Sequence, residues 1–234
     1  MLKLGHKRRS PNHRELYSFY VYDPLDNSFY IGNPDLNTEN SLNTELNLNL
    51  KMKSMAHNIT IFNDNYSSFI IGEQIIEPNP DSRLFSQAFR KFTNLNSTNI
   101  YGIEYQSTYS VFSKLTIDYT LRYTRAYSNA INDNLPFIAP LSSTLSLNYS
   151  IKSLNLKFDW IYNGQQNHNS DYFYLENKTE EFHLFNSRID YSFWKIKVAF
   201  GIENILDVYY IEHTSINDLP SLGRNVYLQF DFGV

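Results

Sequence analysis

The stretch GIENILDVYYIEHTSINDLPSLGRNVYLQFDFGV, residues 201–234, decides the fold. It reads as a strand, a long polar excursion, and a closing strand in which Val226, Leu228, Phe230, Phe232 and Val234 take every second position. Tyr227, Gln229, Asp231 and Gly233 fall between them, so the two faces of that strand meet different surroundings.

The same period of two recurs upstream. Leu42, Thr44, Leu46, Leu48, Leu50 and Met52 alternate with Asn43, Glu45, Asn47, Asn49 and Lys51, a pattern that fails the helical template. Leu115, Ile117, Tyr119, Leu121 and Tyr123 oppose Thr116, Asp118, Thr120 and Arg122; Leu154, Leu156, Phe158, Trp160 and Tyr162 oppose Asn155, Lys157 and Asp159. Trp194, Ile196, Val198, Phe200 and Ile202 likewise oppose Lys195, Lys197 and Glu203. Strands are expected at about 42–52, 56–71, 84–109, 114–125, 141–152, 153–163, 181–192, 194–205 and 225–234, after a short strand at 1–8. Residues up to 40 are aromatic and turn-rich, with Asp-Pro and Gly-Asn-Pro, and read as one long loop.

Connections give the strands a direction. Tight links follow Met52, Tyr109, Lys152 and Ser192, while long polar links occupy about 63–83, 126–140, 164–180 and 206–224. All short turns therefore fall at one end, the asymmetry of an outer-membrane barrel. The expected fold is all-β: a partial antiparallel transmembrane β-barrel of about 9–10 meander strands, whose apolar rows suit the roughly 9–11 residues a tilted membrane strand needs. Asp118, Arg122, Lys157, Asp159, Lys195, Lys197 and Glu203 are expected to face a wet lumen, because a basic side chain in mid-membrane lipid costs about 2–4 kcal/mol. Tyr123, Tyr149, Tyr162 and Trp194 fit interfacial girdles. Alternation by itself leaves a soluble barrel or sandwich open.

Composition excludes several classes. Among 234 residues no run approaches the roughly 20 apolar residues of a helical span, and the mean hydropathy is -0.43. Aromatics make up 16%, which favours strands. A net charge of -4, evenly spread, argues against a nucleic-acid partner. Cysteine is absent, so neither a disulfide framework nor a thiolate zinc site can form. The opening MLKLGHKRRSPNHRELY lacks the apolar core of a secretory signal, so no signal peptide is expected in this chain.

Catalytic patterns are missing. There is no phosphate loop, nucleophile elbow or His-Glu-x-x-His, so neither an enzyme nor a resident metal or cofactor is expected. The histidines at 6, 13, 57, 168, 183 and 213 show no ligand spacing; His168 could face a ligand from an outer loop, and His213 reads as loop packing. Asp23, Asp26, Asn27 and Asp35 fit turns better than a calcium loop, and the adjacent Glu180 and Glu181 make a poor acid/base pair. Asn-x-Ser/Thr at Asn58, Asn65, Asn96, Asn148 and Asn177 is expected by chance in so Asn-rich a chain. Tyr17, Phe19, Tyr20, Tyr22, Phe29 and Tyr30 either touch a ligand or pack loop on loop.

Several segments resemble TonB-dependent outer-membrane receptors: RRSPNHRELY, YIGNPDLNTENSLNTELNL, FTNLNSTNIYGIEYQ, ENILDVYYIEH and LPSLGRNVYLQFDF, in the family's order. The resemblance implies a 22-strand barrel with an internal plug that imports siderophores, metal complexes, vitamins or glycans on energy from TonB. On that reading 1–234 is the C-terminal portion of the barrel, 1–40 being a strand end with a long outer loop and 41–234 successive strands. Its partners would be outer-membrane lipid, the barrel assembly machinery, and the plug and N-terminal strands of the parent receptor, with no nucleic acid. The location would be the outer membrane of a Gram-negative-type bacterium. Tyr227, Phe230 and Phe232 would carry the barrel-insertion signal, although such barrels usually finish on an aromatic residue and here Gly233 and Val234 follow. The other readings are an autonomous small barrel acting as pore or adhesin, and a soluble carbohydrate-binding β-sandwich.

Overall fold

A computed structural model describes residues 1–24, 27–75, 88–170, 177–215 and 218–233. In chain order it contains β1 (Leu2–Arg9), α1 (His13–Tyr17), β2 (Val21–Asp23), β3 (Ser28–Ile31), β4 (Glu39–Lys51), β5 (Met55–Ser67), β6 (Phe69–Ile75) and β7 (Ala88–Leu95). There follow β8 (Thr98–Phe112), β9 (Leu115–Ser128), β10 (Asp133–Asn134), β11 (Ser142–Ile151), β12 (Leu154–Asn163), β13 (Phe182–Phe193), β14 (Ile196–Glu203) and β15 (Asn225–Phe232).

One sheet runs β1-β4-β5-β8-β9-β11-β12-β13-β14-β15, every pair antiparallel, with β10 attached beside β9. This is the meander expected from the alternating runs. Tight turns sit where the sequence placed them, and Lys152 and Trp194 take φ of 51° and 54° at the first turn position. Trp194 therefore belongs to a turn and stands 85% exposed, rather than opening the apolar row of β14. The sheet is open: among the described residues β1 and β15 are its two edges.

Register assigns the faces, since residues directly opposite share a side of the sheet. Asn47, Thr60, Glu104, Arg122, Ser142 and Asn163 form one row, and Leu48, Ile59, Tyr105 and Leu121 form the adjacent row on the other face. The apolar face is uncovered, with Leu50, Ile61, Ile189 and Leu228 all more than a third exposed. A sandwich would hide that face under a second sheet, and none lies there among the described residues.

Three sequence expectations give way at the loop end. The long loop up to residue 40 contains α1, β2 and β3. The strand at 56–71 breaks at Ser68 and that at 84–109 breaks at Ser97, with φ of 61° and 58°; the end of β5 and all of β6 occupy residues 63–75 of the expected 63–83 link, and residues 76–87 lie outside the described residues. Left-handed backbone at those two serines turns the chain out of the large sheet. Asn96 accepts from the Ser68 amide at 3.2 Å, and Asn94 donates to the Ser68 carbonyl at 2.8 Å, fixing the exit. The extruded segments pair as a second sheet, β2-β3-β7-β6, in which β3 and β7 run parallel. Tyr30, Ile70 and Phe92 form its buried core. A second core of Leu95, Ala126 and Leu135, with Phe69, Ile71 and Ile100 against it, seats this cap on the polar side of the large sheet.

Candidate functional site

Two features of the large sheet's polar side can meet a solute: the wall itself and the cap at its loop end. On the wall, carboxylates alternate with amides, hydroxyls and cations from the same and neighbouring strands. Asp118 accepts from Thr108 Oγ1 at 2.6 Å and from Asn148 Nδ2 at 2.8 Å. Asp159 takes Ser146 and Lys157, and Asp190 takes Arg188 at 2.9 Å and Lys197 at 3.3 Å. Such half-exposed pairs contribute about 0–1 kcal/mol each. The result is a wetted wall on which Asp159 and Asp190 are paired with cations and Asp118 is held by neutral donors.

Two glycines on this side accommodate aromatic rings. A Cβ at Gly102 would meet the Phe62 ring at 2.7 Å, and one at Gly201 would meet the Tyr227 ring at 2.2 Å. Both pairs are directly opposite in register, so each ring lies flat over backbone. The Tyr227 hydroxyl also accepts from Arg188 Nη1 at 3.3 Å.

The cap is fixed by one ionic node. Arg9 Nη1 donates to both Glu15 oxygens at 2.9 Å, and its Nη2 reaches Glu39 at 3.0 Å. Both carboxylate side chains are 11% exposed. Glu15 also accepts from the Asn12 amide while Asn12 Oδ1 accepts from the Glu15 amide, a capping box that starts α1. Glu39 Oε2 accepts from the Ile70 amide at 3.0 Å. One guanidinium thus ties β1, α1, β4 and β6 together. The Asn12-His13-Arg14-Glu15 spacing carries the capping-box signature, and the loop reading missed it.

Loops between later strands are joined in the same way. Arg125 Nη2 donates to Asn134 at 2.9 Å, Asn134 donates to the Asn169 carbonyl at 3.2 Å, and Ser170 donates to Asp133 at 2.9 Å. Between them lies a cavity of about 100 Å³, lined by Tyr123, Arg125, Asn134, Gln165 and His168 among others. The His168 imidazole titrates below its ordinary value, chiefly through partial burial and secondly through the Arg125 charge.

The residues singled out from sequence do not converge. Tyr227 lies on the polar side over Gly201, whereas Phe230 and Phe232 stand 53% and 71% exposed on the apolar face; Val234 lies outside the described residues. Tyr30 is buried against Phe92 with the Arg14 guanidinium over its ring at 4.9 Å. Phe19, Tyr20, Phe89, Phe29 and Tyr22 form a ladder of ring contacts with centroids 4.9 to 5.8 Å apart, of which Phe19, Tyr20 and Tyr22 are exposed, and Tyr17, outside the ladder beside His13, is exposed as well. Asp23 pairs with Arg14 and Asn27 accepts from Tyr22, while Asp26 lies outside the described residues. His213 packs on Thr179 at 3.3 Å and Glu181 accepts from Tyr162, so Glu180 and Glu181 form no pair. Among the described residues no His, Asp or Glu group is placed to hold a metal.

Comparisons with known proteins agree on architecture. The family described as TonB dependent receptor-like, beta-barrel matches residues 6–205. The copper transporter OprC superposes with a TM-score of 0.83 at 18% identity, over 99% of this chain and 36% of that one. The ferric enterobactin receptor PfeA of Pseudomonas aeruginosa gives 0.72 at 17% identity, over 98% of this chain and 37% of that one. The siderophore receptor PirA of Acinetobacter baumannii gives 0.72 at 16% identity, over 99% and 38%. The chain therefore spans little more than a third of the length of these structures.

Proposed function

The chain belongs to the TonB-dependent receptor family through its β-barrel, and we propose that it is the C-terminal portion of such a receptor's barrel, acting in uptake across an outer membrane. The carrying observation is the open ten-strand meander with a polar, partly ion-paired wall on one side and an uncovered apolar face on the other. In lipid, an open edge leaves backbone N–H and C=O groups unpaired at several kcal/mol each. On this reading β1 and β15 pair with further strands of the same receptor, and the polar wall surrounds its plug. An autonomous small barrel would instead join β1 to β15, which are apart.

The cargo of the whole receptor would be a siderophore, metal complex, vitamin or glycan. Since OprC is named for copper and PfeA for ferric enterobactin, copper and ferric chelates are the first to test. The exposed Tyr17, Phe19, Tyr20 and Tyr22 would be the contact offered by the cap. Phe230 and Phe232 would present the insertion signal to the assembly machinery from the apolar face, with Tyr227 holding the strand from the other side.

Fractionation of cells expressing the natural gene tests this. The protein is expected in the outer-membrane fraction, migrating faster unboiled than boiled, with ferric-chelate or copper uptake that stops without TonB. The double variant Phe230→Ala, Phe232→Ala should lower the inserted amount severalfold. A monodisperse folded monomer without detergent would sink the proposal.

A further inference from the structure

Along the apolar face the chemistry changes within one step of register. Leu46, Ile61, Ile103 and Tyr123 make one row across β4, β5, β8 and β9; two residues further toward the loops the row reads Thr44, Asn63, Tyr101, Arg125. The next is Leu42, Asn65, Asn99, Tyr127. Neither polar row contains a carboxylate, in contrast with the opposite face, where Glu45 and Asp64 lie at the same levels. A sharp passage from hydrocarbon-compatible to amide-rich and cationic side chains marks the level of lipid headgroups.

Arg125 is the charge on this shelf that lacks a counter-ion. It forms no ion pair among the described residues, its one hydrogen bond goes to the neutral Asn134 amide, and its buried Nε has no acceptor. Arg9, Arg14 and Arg188 each hold a carboxylate. A guanidinium N–H shut from water without an acceptor is costly, and the fork geometry of arginine matches phosphate oxygens. The 100 Å³ cavity beside it, lined also by Gln165 and His168, has room for one such group.

We propose that this outward shelf binds the phosphorylated headgroup of an outer-leaflet glycolipid, with Arg125 holding a phosphate and Asn63, Asn65 and Asn99 facing the sugars. The inference rests on the membrane reading above. Lipid is the committed source, because the shelf continues directly from the apolar rows and a free anion would have no use for that continuity.

The protein expressed in an outer membrane and purified in mild detergent is assayed for co-purified lipid phosphate by native mass spectrometry. Arg125→Gln is expected to lower phosphorylated glycolipid per protein at least fivefold. Arg125→Lys should retain part of it, and Arg122→Gln, on the opposite face of the same strand, should retain all of it. Migration of unboiled samples verifies that each variant is folded, and Arg125→Lys serves if Arg125→Gln fails to fold. Equal lipid in wild type and the Arg125 variants, or equal loss in Arg122→Gln, would overturn the proposal. So would displacement of the lipid by millimolar inorganic phosphate, which would identify a free-anion site. If the wild-type protein is absent from the outer membrane, the membrane reading and this inference fall together; if it is present and its lipid is indifferent to Arg125, the inference alone falls.

Discussion

At the scale of single residues, electrostatics is settled by which side of a strand a side chain leaves from. Asp118, Asp159 and Asp190 gather donors from their own and neighbouring strands because all point to one side. Arg125, on the other side, is left to bias its neighbour. His168 is held below its ordinary titration value by burial first and by Arg125 second, so it charges only at lower pH than a solvated histidine. Its contribution to stability is accordingly present above the unfolded value and lost as pH falls through the folded midpoint. Histidine NMR should show that midpoint below the free value, and Arg125→Gln should raise it part of the way, since the burial stays. A midpoint unmoved by the substitution would mean that the two groups do not sense each other.

At the scale of elements, the cap depends on backbone contact that leaves no room for a side chain. A Cβ at Gly32 would lie 2.5 Å from the amide nitrogens of Tyr17 and Ser18, where the Gly32 amide donates to the Ser18 carbonyl at 2.7 Å and the Asn33 amide donates to the Glu15 carbonyl at 2.8 Å. Gly32→Ala must push α1 off β3, a close-packing change of about 1–3 kcal/mol. Hydrogen exchange should quicken in α1, β2 and β3 and stay unchanged in β11 through β15. Uniform loss across all strands would show that cap and sheet unfold as one unit. The Gly-Asn-Pro signal was legible as a turn, but the need for glycine was not, because it arises from a neighbour fourteen or so residues earlier in the chain.

At the scale of the whole molecule, the two faces imply opposite tolerances. Leu147 points to the apolar face, opposite Ile117 and Phe158, and its neighbour Asn148 points to the polar wall, opposite Thr116 and Lys157. Leu147→Arg should cost about 2–4 kcal/mol in a denaturant titration of the membrane-inserted protein, and Asn148→Arg close to nothing. Equal costs would mean that the apolar face does not meet lipid. The antiparallel meander of about ten strands and the division of its faces were determined by the sequence alone, because a half-buried strand writes its orientation into every second residue, whereas the breaks at Ser68 and Ser97 and the turn at Trp194 were not. The tertiary structure alone decided the cap: β3 pairs with β7 across about sixty residues, Ser68 and Ser97 turn the chain out of the large sheet, and Arg9 finds Glu15 and Glu39 at once. Period-two alternation records which side a residue faces and carries nothing about which distant segment it will meet, so pairings between excursions from different strands appear only when the chain has folded.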